Sequence, residues 1–380
     1  MYINFWYPVA QSQEVSNDKP LKVQIMGLQF VAFRDSDGNP HVLSDTCVHR
    51  GGSLGLGWVR DGHLVCPYHG WEYGGDGKCL RVPTQEEGQK APARAKVDSY
   101  PTREKYGVLF AFLGDLPEAE RPPLYEIEEY EADGWRANDV VVFEVNAYFE
   151  RSLENGLDAA HNEFVHPMQG GPSISSTLRE HPIDVKDESP WGSGFLQPYG
   201  GYAQKKTQKL GAGVGTTRAG SSHHGPNTLI TRIFFDEDRK FIQYFFEAPI
   251  DASHTRIFFV NMRSFMLEPE NDQKLIDINM TIAHEDIRII ESLNPVRTPD
   301  TTVKEILTPA DKPIVYYRKY IQDWTDRGWR IDMHRLRALR GDVAFAIPSP
   351  ERRTSKNWVL DPIPLLPAAA AEGRSLRSVK

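Results

Sequence analysis

The sequence predicts an α+β protein in which an all-β domain precedes a second domain with helices packed over an antiparallel sheet. Three observations predict this fold class. Residues 22–115 read as short strands separated by turn residues, residues 115–131 are rich in Pro and Glu, and the rest mixes long β-type runs with two helical patterns. With 380 residues, 40% of them hydrophobic, the chain is long enough for two cores.

The first domain is predicted from strand patterns that alternate with turn chemistry. The runs KVQIMG and QFVAF precede an Asp37-Gly38 turn, and HVLSD, WEYGGDGKCLRV and GVLFAFLG follow. We therefore expect the first domain to span residues 1–115. The Pro- and Glu-rich composition that follows suits an exposed linker over residues 116–134, although its acidic run could also dock a partner.

The second domain, expected over residues 135–365, is predicted from the runs VVVFEVNA, NTLITRIFF, KFIQYFFEAPI and HTRIFFVNMRSF. Helical patterns lie around residues 148–166 and 275–294. Residues 168–226, rich in Gly, Ser and Pro, form a longer connection than compact domains usually contain, which indicates a lid or a partly disordered segment. Residues 366–380 are expected to form a flexible tail.

The composition excludes several classes of function. A formal net charge of −8 and the lack of any dense Lys/Arg run argue against a nucleic-acid or anionic membrane partner. The first residues do not resemble a secretory signal, and no apolar run is long enough to span a bilayer. Only three cysteines are present, so a disulfide framework is not expected. These features predict a cytoplasmic protein whose thiols are available as metal ligands.

A first group of metal ligands is predicted by the segment CVHRGGSLGLGWVRDGHLVCPYHGW. It places Cys47 and His49 as Cys-x-His, and Cys66 and His69 as Cys-x-x-His, so that two loops each offer one thiolate and one imidazole. In one class of [2Fe–2S] centre, two cysteines bind one iron and two histidines bind the other. The alternative is a Cys₂His₂ zinc site, although zinc fingers usually present their two cysteines together. Glycines that permit tight turns and close backbone approach stand at positions 51, 52, 55 and 57.

The Cys-x-His element, the sixteen residues that follow it and the CPYHGW element closely resemble the Rieske signature. Respiratory Rieske proteins add a disulfide between the two loops, at positions held here by Gly52 and Tyr68. The absence of that bridge makes this chain resemble the oxygenase and ferredoxin type. The third cysteine, Cys79, lies beyond a Gly-rich turn and is most simply a small buried apolar residue.

A second group of metal ligands is predicted in RSLENGLDAAHNEFVHP, where Asp158, His161 and His166 follow the pattern D-x2-H-x4-H. At about 100° per residue, Asp158 and His161 are neighbours on a helix, whereas His161 and His166 diverge by roughly 140°. We therefore expect the helix to end or bend near His166, since Pro167 disfavours the α conformation in the residue before it. The alternative is that both histidines are structural.

The helix INMTIAHEDIRIIESLNP supplies a candidate carboxylate ligand. Asp286 is predicted to project into the middle of an apolar stripe, with Glu285 at its edge. An unpaired buried carboxylate costs several kcal/mol, so Asp286 must bind a metal, be neutralised or pair with a base such as arginine. Two histidines and one carboxylate form the facial triad of non-haem Fe(II) oxygenases. The stripe consists of Ile278, Ile282, Ile289 and Leu293.

With both groups in order, the whole chain resembles the Rieske non-haem iron oxygenases, the family of aromatic-ring-hydroxylating oxygenase alpha subunits, and within it the homotrimeric monooxygenase and demethylase-like branch. The resemblance implies a mononuclear Fe(II) bound by His161, His166 and Asp286 in a helix-grip, START-like catalytic domain. It also implies a ring-shaped trimer, in which electrons pass between neighbouring chains. By the same resemblance, Asp158 links His161 to the cluster histidine of the next chain, at the position of His69.

The function predicted from this resemblance is the oxygenase component of a Rieske system, which uses O₂ to hydroxylate or oxidatively demethylate a small apolar or aromatic substrate. The sequence lacks a Gly-rich dinucleotide fingerprint, so NAD(P)H is expected to act through a separate reductase or ferredoxin. The alternatives are a Rieske electron-transfer protein without oxygenase chemistry and a zinc-binding structural protein. Asn155 is a further candidate for the iron site. Aromatic residues that could line the substrate pocket, or pack structurally, are Trp191, Phe195, Tyr199 and Tyr202.

Overall fold

The computed structural model describes residues 1–166, 174–198, 217–299 and 302–369. Within these ranges an all-β part is followed by a large antiparallel sheet with helices packed on it, which confirms the predicted α+β class. No helix in the described ranges is long and apolar enough to cross a membrane.

The first part of the chain consists of short strands in three sheets, with the orders β1-β11-β10, β2-β3-β4-β9 and β5-β6-β7-β8. The last of these sheets holds two loops that carry the predicted cluster ligands, one before β5 and one between β6 and β7. The strands are β1 (Phe5–Gln11), β2 (Leu21–Ile25), β3 (Leu28–Arg34), β4 (Pro40–Ser44), β5 (Trp58–Arg60), β6 (His63–Val65), β7 (Glu72–Tyr73), β8 (Cys79–Arg81), β9 (Ser99–Tyr100), β10 (Thr102–Lys105) and β11 (Val108–Leu113).

The second part contains a nine-stranded sheet with the order β12-β20-β19-β18-β17-β15-β14, to which β13 adds beside β20 and β16 beside β17. Its strands are β12 (Arg136–Ala137), β13 (Val141–Val145), β14 (Lys186–Ser189), β15 (Gly192–Gly194), β16 (Gln197–Pro198), β17 (Arg218–His224), β18 (Thr228–Phe234), β19 (Lys240–Pro249) and β20 (Thr255–Arg263). A short parallel pair, β21 (Phe345–Ala346) and β22 (Asp361–Pro362), follows. The helices are α1 (Phe149–Leu157), α2 (Asn162–Val165), α3 (Ile174–Glu180), α4 (Asp272–Ile290), α5 (Lys312–Asp326) and α6 (Met333–Ala338).

One face of the large sheet packs against the first part of the chain. Tyr244 and Phe246 of β19 share a hydrophobic cluster with Val108 and Phe110 of β11. Because side chains alternate along a strand, the residues between them face the opposite side, toward the helices. The first part therefore covers one face of the sheet and leaves the other face free to form a site.

The first residues of the chain also join the second part. The ring of Phe5 lies 4.8 Å from that of Trp324 on α5, and Tyr2 forms a β-bridge with Arg330. In the predicted linker, Ile127 is buried in the cluster that includes β11. The two predicted domains thus share hydrophobic contacts along their boundary.

The helix predicted over residues 148–166 is interrupted in the structure. Helix α1 ends at Leu157, and Asp158 is extended, with φ −87° and ψ 110°. The carboxylate of Asp158 accepts the backbone N–H of Ala160 at 2.7 Å, which is a turn that competes with the helix. The prediction that the helix ends near His166 is confirmed, because α2 ends at Val165 and His166 is not helical, with φ −109° and ψ 88°. The expectation that Asp158 and His161 are neighbours on one helix is wrong, because a further break lies eight residues earlier, at Asp158.

The other helix prediction, over residues 275–294, corresponds to α4. At the C-terminus, the backbone N–H groups of Leu366 and Ala369 donate to the carbonyls of Arg330 and Asp326. The first residues of the predicted tail are therefore hydrogen-bonded to the second part, and residues 370–380 lie outside the described ranges.

Candidate metal centres

The loop that carries Cys47 is closed by its own backbone. The N–H of Cys47 donates to the carbonyl of Gly52 at 2.8 Å, and the N–H of Gly51 donates to the carbonyl of Cys47 at 2.9 Å. Gly51 has φ +73°, a conformation that side chains rarely adopt. The glycine that follows Arg50 is thus required by the turn that presents His49.

The loop that carries Cys66 repeats this arrangement. The N–H of Cys66 donates to the carbonyl of Trp71 at 2.8 Å, and the N–H of Gly70 donates to the carbonyl of Cys66 at 2.9 Å. Gly70 has φ +69°. The two loops therefore present their ligands by the same backbone geometry, as two halves of one site.

The four predicted cluster ligands converge between these loops. Both cysteines are buried, whereas both histidines are exposed, and the imidazole rings of His49 and His69 lie 4.4 Å apart. The ring of His49 also stacks on Trp71 at 4.6 Å, with an angle of 6° between the planes. Thiols inside and imidazoles outside match a [2Fe–2S] centre with two cysteines on one iron and two histidines on the other.

Two observations describe the sulfur environment. The hydroxyl of Tyr73 lies 3.1 Å from Sγ of Cys47, and burial raises the pKa of Tyr73, so the phenol stays protonated and donates. The hydrogen bond between the two thiols lowers the pKa of Cys66 and raises that of Cys47, so the proton that the pair shares stays on Cys47 and Cys66 carries the thiolate. Cys79 is buried, and its Sγ lies 3.4 Å from the carbonyl oxygen of Arg81.

Gly52 and Tyr68, which hold the positions of the inter-loop disulfide of respiratory Rieske proteins, lie next to each other. A Cβ atom built on Gly52 would be 3.4 Å from Cβ of Tyr68, close to the separation of about 3.8 Å found in disulfides. The same Cβ would be 3.2 Å from Sγ of Cys66. Gly52 therefore leaves room beside a cluster cysteine.

The second group of predicted ligands also comes together. His161 and His166 flank α2 directly before and after it, and Asp286 lies on α4. Nε2 of His161 and Nε2 of His166 are 3.3 Å apart, and they lie 3.3 Å and 3.2 Å from Oδ1 of Asp286. With the chain turning at Asp158, the Nε2 atoms of both histidines face the carboxylate of Asp286.

These three atoms fit a metal ion. Ligands about 2.1 Å from an ion and at right angles to each other are about 3 Å apart, close to the observed separations. Oδ1 of Asp286 is buried and has no hydrogen-bond partner among the described residues. Burial would raise the pKa of Asp286, but the imidazoles of His161 and His166 hold it well below its usual range. A charged, buried oxygen whose nearest polar neighbours are two imidazole nitrogens is what a divalent metal would satisfy.

The outer nitrogens of both imidazoles are held by other groups. Nδ1 of His161 lies 2.6 Å from the backbone carbonyl oxygen of Asp158, and Nδ1 of His166 lies 2.9 Å from Oε2 of Glu285. Both contacts favour the tautomer with hydrogen on Nδ1, which leaves Nε2 free to bind a metal. Burial lowers the pKa of His166, but the carboxylates of Asp286 and Glu285 outweigh burial and raise it.

The remaining site predictions concern Asp158 and Asn155. Both line the cavity described below, together with His161. The carboxylate of Asp158 is half-buried, and burial raises its pKa, opposed by the charge of His161. Within one chain, Asp158 contacts the ring of His161 through its backbone carbonyl and not through its carboxylate. The carboxylate instead accepts the backbone N–H of Ala160.

A cavity of about 700 Å³ extends from the triad between α4 and the large sheet. The face of α4 that lines it includes Leu275, Ile278, Asn279, Ile282 and Asp286, so Asp286 projects from a largely apolar face as predicted. Ile278 of the predicted stripe lines the cavity and is also partly exposed to solvent. Most of the sheet side is apolar. Its aromatic residues include Phe143, Phe195, Phe235, Phe241, Phe245 and Phe259.

Of the four aromatic residues predicted as pocket candidates, Phe195 lines the cavity. Trp191 instead packs edge-on against Phe5 at 6.3 Å, and Tyr199 and Tyr202 lie outside the described residues.

Sequence reasoning missed Tyr73 and Glu247, and it placed Glu285 at the edge of the apolar stripe without assigning it a role. Tyr73 and Glu285 each stand close in sequence to a predicted ligand, and this proximity could have indicated that they contact the metal sites. Glu247, a buried carboxyl group in the cavity wall, could have been noticed as the one acidic residue in the run KFIQYFFEAPI.

Comparisons with known proteins match both parts of the chain. Residues 5–101 match the Rieske [2Fe-2S] domain family, and residues 145–327 match the vanillate O-demethylase oxygenase C-terminal domain family. The first range contains all four cluster ligands predicted here, and the second contains the triad.

Two curated relatives illustrate the similarity. Chlorophyllide a oxygenase from Arabidopsis thaliana is 34% identical over 202 residues, which cover 49% of this chain and 36% of that protein. The vanillate O-demethylase oxygenase subunit of a Pseudomonas species is 31% identical over 185 residues, which cover 49% of this chain and 50% of the relative. The match thus spans half or less of the length of these relatives.

Among solved structures, dicamba monooxygenase bound to 3,6-dichlorosalicylic acid has the same fold. The TM-score is 0.70 at 21% identity, and the match covers 89% of this chain and 98% of the other.

Proposed function

Because this chain belongs to the Rieske non-haem iron oxygenase family, we propose that it is the oxygenase component of a system that hydroxylates or oxidatively demethylates a small apolar or aromatic compound with O₂. The observation that carries the proposal is that the triad of His161, His166 and Asp286 opens into a largely apolar cavity. A metal site that only stabilised the fold would have no need of such a cavity.

The proposal assigns two cofactors to the chain. Cys47, His49, Cys66 and His69 would hold the [2Fe–2S] cluster, and the triad would hold the mononuclear iron. When bound, these groups supply the electrons and the O₂-activating site that the reaction needs.

The chain's own residues orient the ligands and the substrate. Glu285 and the carbonyl of Asp158 hold the two imidazoles, so that both Nε2 atoms face Asp286. The phenylalanine side chains of the cavity exclude water and bind the apolar part of a substrate through hydrophobic contacts. The position of the bound substrate then determines which of its carbon atoms lies nearest the triad.

The partners follow from the same assignment. The sequence contains no Gly-rich dinucleotide motif, so we propose that a separate reductase or ferredoxin delivers electrons from NAD(P)H. The exposed edges of His49 and His69 are the accessible side of the cluster site. We further propose a homotrimer, in which the carboxylate of Asp158 contacts a cluster histidine of the neighbouring chain, and a cytoplasmic location.

The test begins with metal and spectral analysis of the purified protein. We expect about three irons per chain, two in the cluster and one mononuclear, with the visible and EPR spectra of a Rieske centre. A chain with zinc and no visible absorption would contradict the proposal.

Activity is then tested with a surrogate ferredoxin and reductase over a panel of aromatic ethers, amines and hydrocarbons. Product is measured, not NADH loss, because uncoupled electron flow also consumes NADH. The matched control is His161→Ala under the same conditions. Equal product from both proteins, or none across a panel that includes O- and N-methyl compounds of different sizes, would overturn the proposal.

A further inference from the structure

A carboxyl group lies in the wall of the cavity without a charged partner. Along β19, Gln243, Phe245 and Glu247 line the cavity, whereas Tyr244 and Phe246 pack in the hydrophobic cluster on the other face of the sheet. The alternation of the strand therefore directs Glu247 to the cavity side. Glu247 is 1% exposed.

Only one of the two carboxyl oxygens of Glu247 has a hydrogen-bond partner among the described residues. The hydroxyl of Ser152 on α1 donates to Oε1 at 2.9 Å. Oε2 has no hydrogen-bond partner, and no ion pair involves Glu247 in the part of the chain that the structure describes. The backbone of Glu247 is fixed, since its N–H donates to the carbonyl of Asn227 and its carbonyl accepts from the Asn227 side chain.

The carboxyl group is expected to be neutral in the unliganded protein. A buried carboxylate without a cation is strongly disfavoured, and burial raises the pKa of Glu247 to about 8, although the Ser152 hydroxyl opposes this. Because Oε1 accepts from Ser152, the proton belongs on Oε2. Glu247 then holds one unused O–H donor in the wall of a largely apolar cavity.

We propose that Glu247 is a specificity-determining residue, whose protonated carboxyl group donates a hydrogen bond to a carbonyl oxygen of an uncharged, otherwise apolar substrate. This inference rests on the proposed function, because it names the class of compound that the cavity takes. Glu247 and the triad line the same cavity, so a substrate held by its carbonyl group presents a defined carbon to the metal site. Pairing between polar groups in an apolar site discriminates more strongly than an added methyl group does.

The test measures binding of three compounds of nearly the same shape: acetophenone, isopropylbenzene and 1-phenylethylamine. The first carries a carbonyl oxygen, the second is apolar, and the third is a cation at pH 7. Equilibrium dialysis is carried out on the iron-loaded protein without a reductase, so that no turnover occurs. We expect acetophenone to bind about tenfold more tightly than isopropylbenzene, as one buried hydrogen bond allows, and the amine to bind more weakly than acetophenone.

Three variants locate the donor. Glu247→Met, which is similar in volume, should remove the preference for acetophenone and leave the affinity for isopropylbenzene nearly unchanged. Glu247→Gln should keep the preference, because an amide N–H also donates. Glu144→Gln, which changes a solvent-exposed carboxylate on β13, is the matched control and should behave like the wild type.

If Glu247→Met does not fold, vibrational spectroscopy of the wild type and of Glu247→Gln still tests the inference. The carbonyl stretch of isotope-labelled acetophenone should lie at a lower frequency in the wild type than in Glu247→Gln, because a carboxylic acid is the stronger donor. An unchanged frequency in this pair would overturn the inference.

Three binding results would also overturn it. They are equal affinities for acetophenone and isopropylbenzene in the wild type, a preference that survives in Glu247→Met, and tightest binding of the amine with loss in Glu247→Gln, which would indicate a cation site. None of these measurements depends on oxygenation. An inactive protein that still prefers acetophenone would contradict the proposed function, whereas an active protein without this preference would contradict only the inference about Glu247.

Discussion

Glu285 and His166 are joined by a hydrogen bond, with Nδ1 of the imidazole 2.9 Å from Oε2 of the carboxylate. Glu285 stands next to Asp286 on α4. One helix therefore carries a metal ligand and also the group that orients a second ligand. The buried His166 ring, only 2% exposed, is held from both sides by neighbouring residues of that helix.

Substitution Glu285→Gln is expected to weaken binding of the mononuclear iron by about ten- to a hundredfold, because the amide no longer polarises the imidazole of His166. Iron retained after dialysis against a chelator measures this, with the cluster absorption unchanged. Asp277→Asn, on the exposed side of the same helix, is the control. Wild-type iron retention in Glu285→Gln would show that the contact does not support ligation.

Substitution His161→Ala is expected to remove the mononuclear iron and to leave the visible absorption of the cluster intact, because the two sites are built from separate elements. Iron analysis and absorption spectra of one preparation measure both. Cys66→Ser should lose the visible absorption. If His161→Ala loses both signals, the histidine has a role in folding.

Substitution Asp158→Asn is expected to keep both metals and to lose most turnover. The turn at this position survives, because the amide oxygen can still accept the N–H of Ala160, whereas the negative charge proposed to face the neighbouring chain is lost. Iron content and product formation are measured together. Normal turnover with a full complement of iron would refute the bridging role.

Substitution Tyr73→Phe is expected to lower the reduction potential of the cluster by about 50 mV, since a hydrogen bond to a cluster sulfur stabilises the more negative, reduced state. Redox titration followed by EPR measures the change. Tyr68→Phe is the control, because that phenol is 57% exposed on the same loop. An equal shift in both variants would exclude the contact with Cys47 as the cause.

The buried His223 predicts a loss of stability in acid. Burial lowers its pKa to about 4, and the neutral ring donates from Nδ1 to the carbonyl of Gly225 and accepts at Nε2 from Ser193. The unfolded chain, with a pKa of about 6.5, binds the proton first as the pH falls. The contribution of His223 is therefore fully present above pH 6.5 and is lost as the pH falls toward 4.

The expected loss is about 2 kcal/mol of unfolding free energy between pH 7.5 and pH 5. Denaturant unfolding of the wild type and of His223→Gln at both pH values measures it, and the difference between the two proteins isolates this residue from other groups that titrate. Parallel pH profiles would mean that His223 does not contribute in this way.

The cluster loops were predictable because all their determinants are local. Each loop closes through hydrogen bonds between residues at most five positions apart, and Gly51 and Gly70 permit the turns, so the spacing indicates a metal site with two thiolates and two imidazoles. The choice of a cluster over zinc rested on the resemblance to the Rieske signature. The position of Asp286 on the cavity side of α4 was predictable too, since helical periodicity relates sequence to face.

The sequence by itself determined the fold class, the order of the two metal groups and the helix that carries Asp286. Only the three-dimensional structure decided that α1 ends before Asp158, because the local contact from the Asp158 side chain to Ala160 and the helical hydrogen bonds that it replaces are of similar strength, so the sequence does not tell which of them forms. It also decided the partners of Glu285 and Glu247, which lie 119 and 95 positions from His166 and Ser152. Such contacts depend on how helices pack on the sheet, and no local pattern encodes that packing.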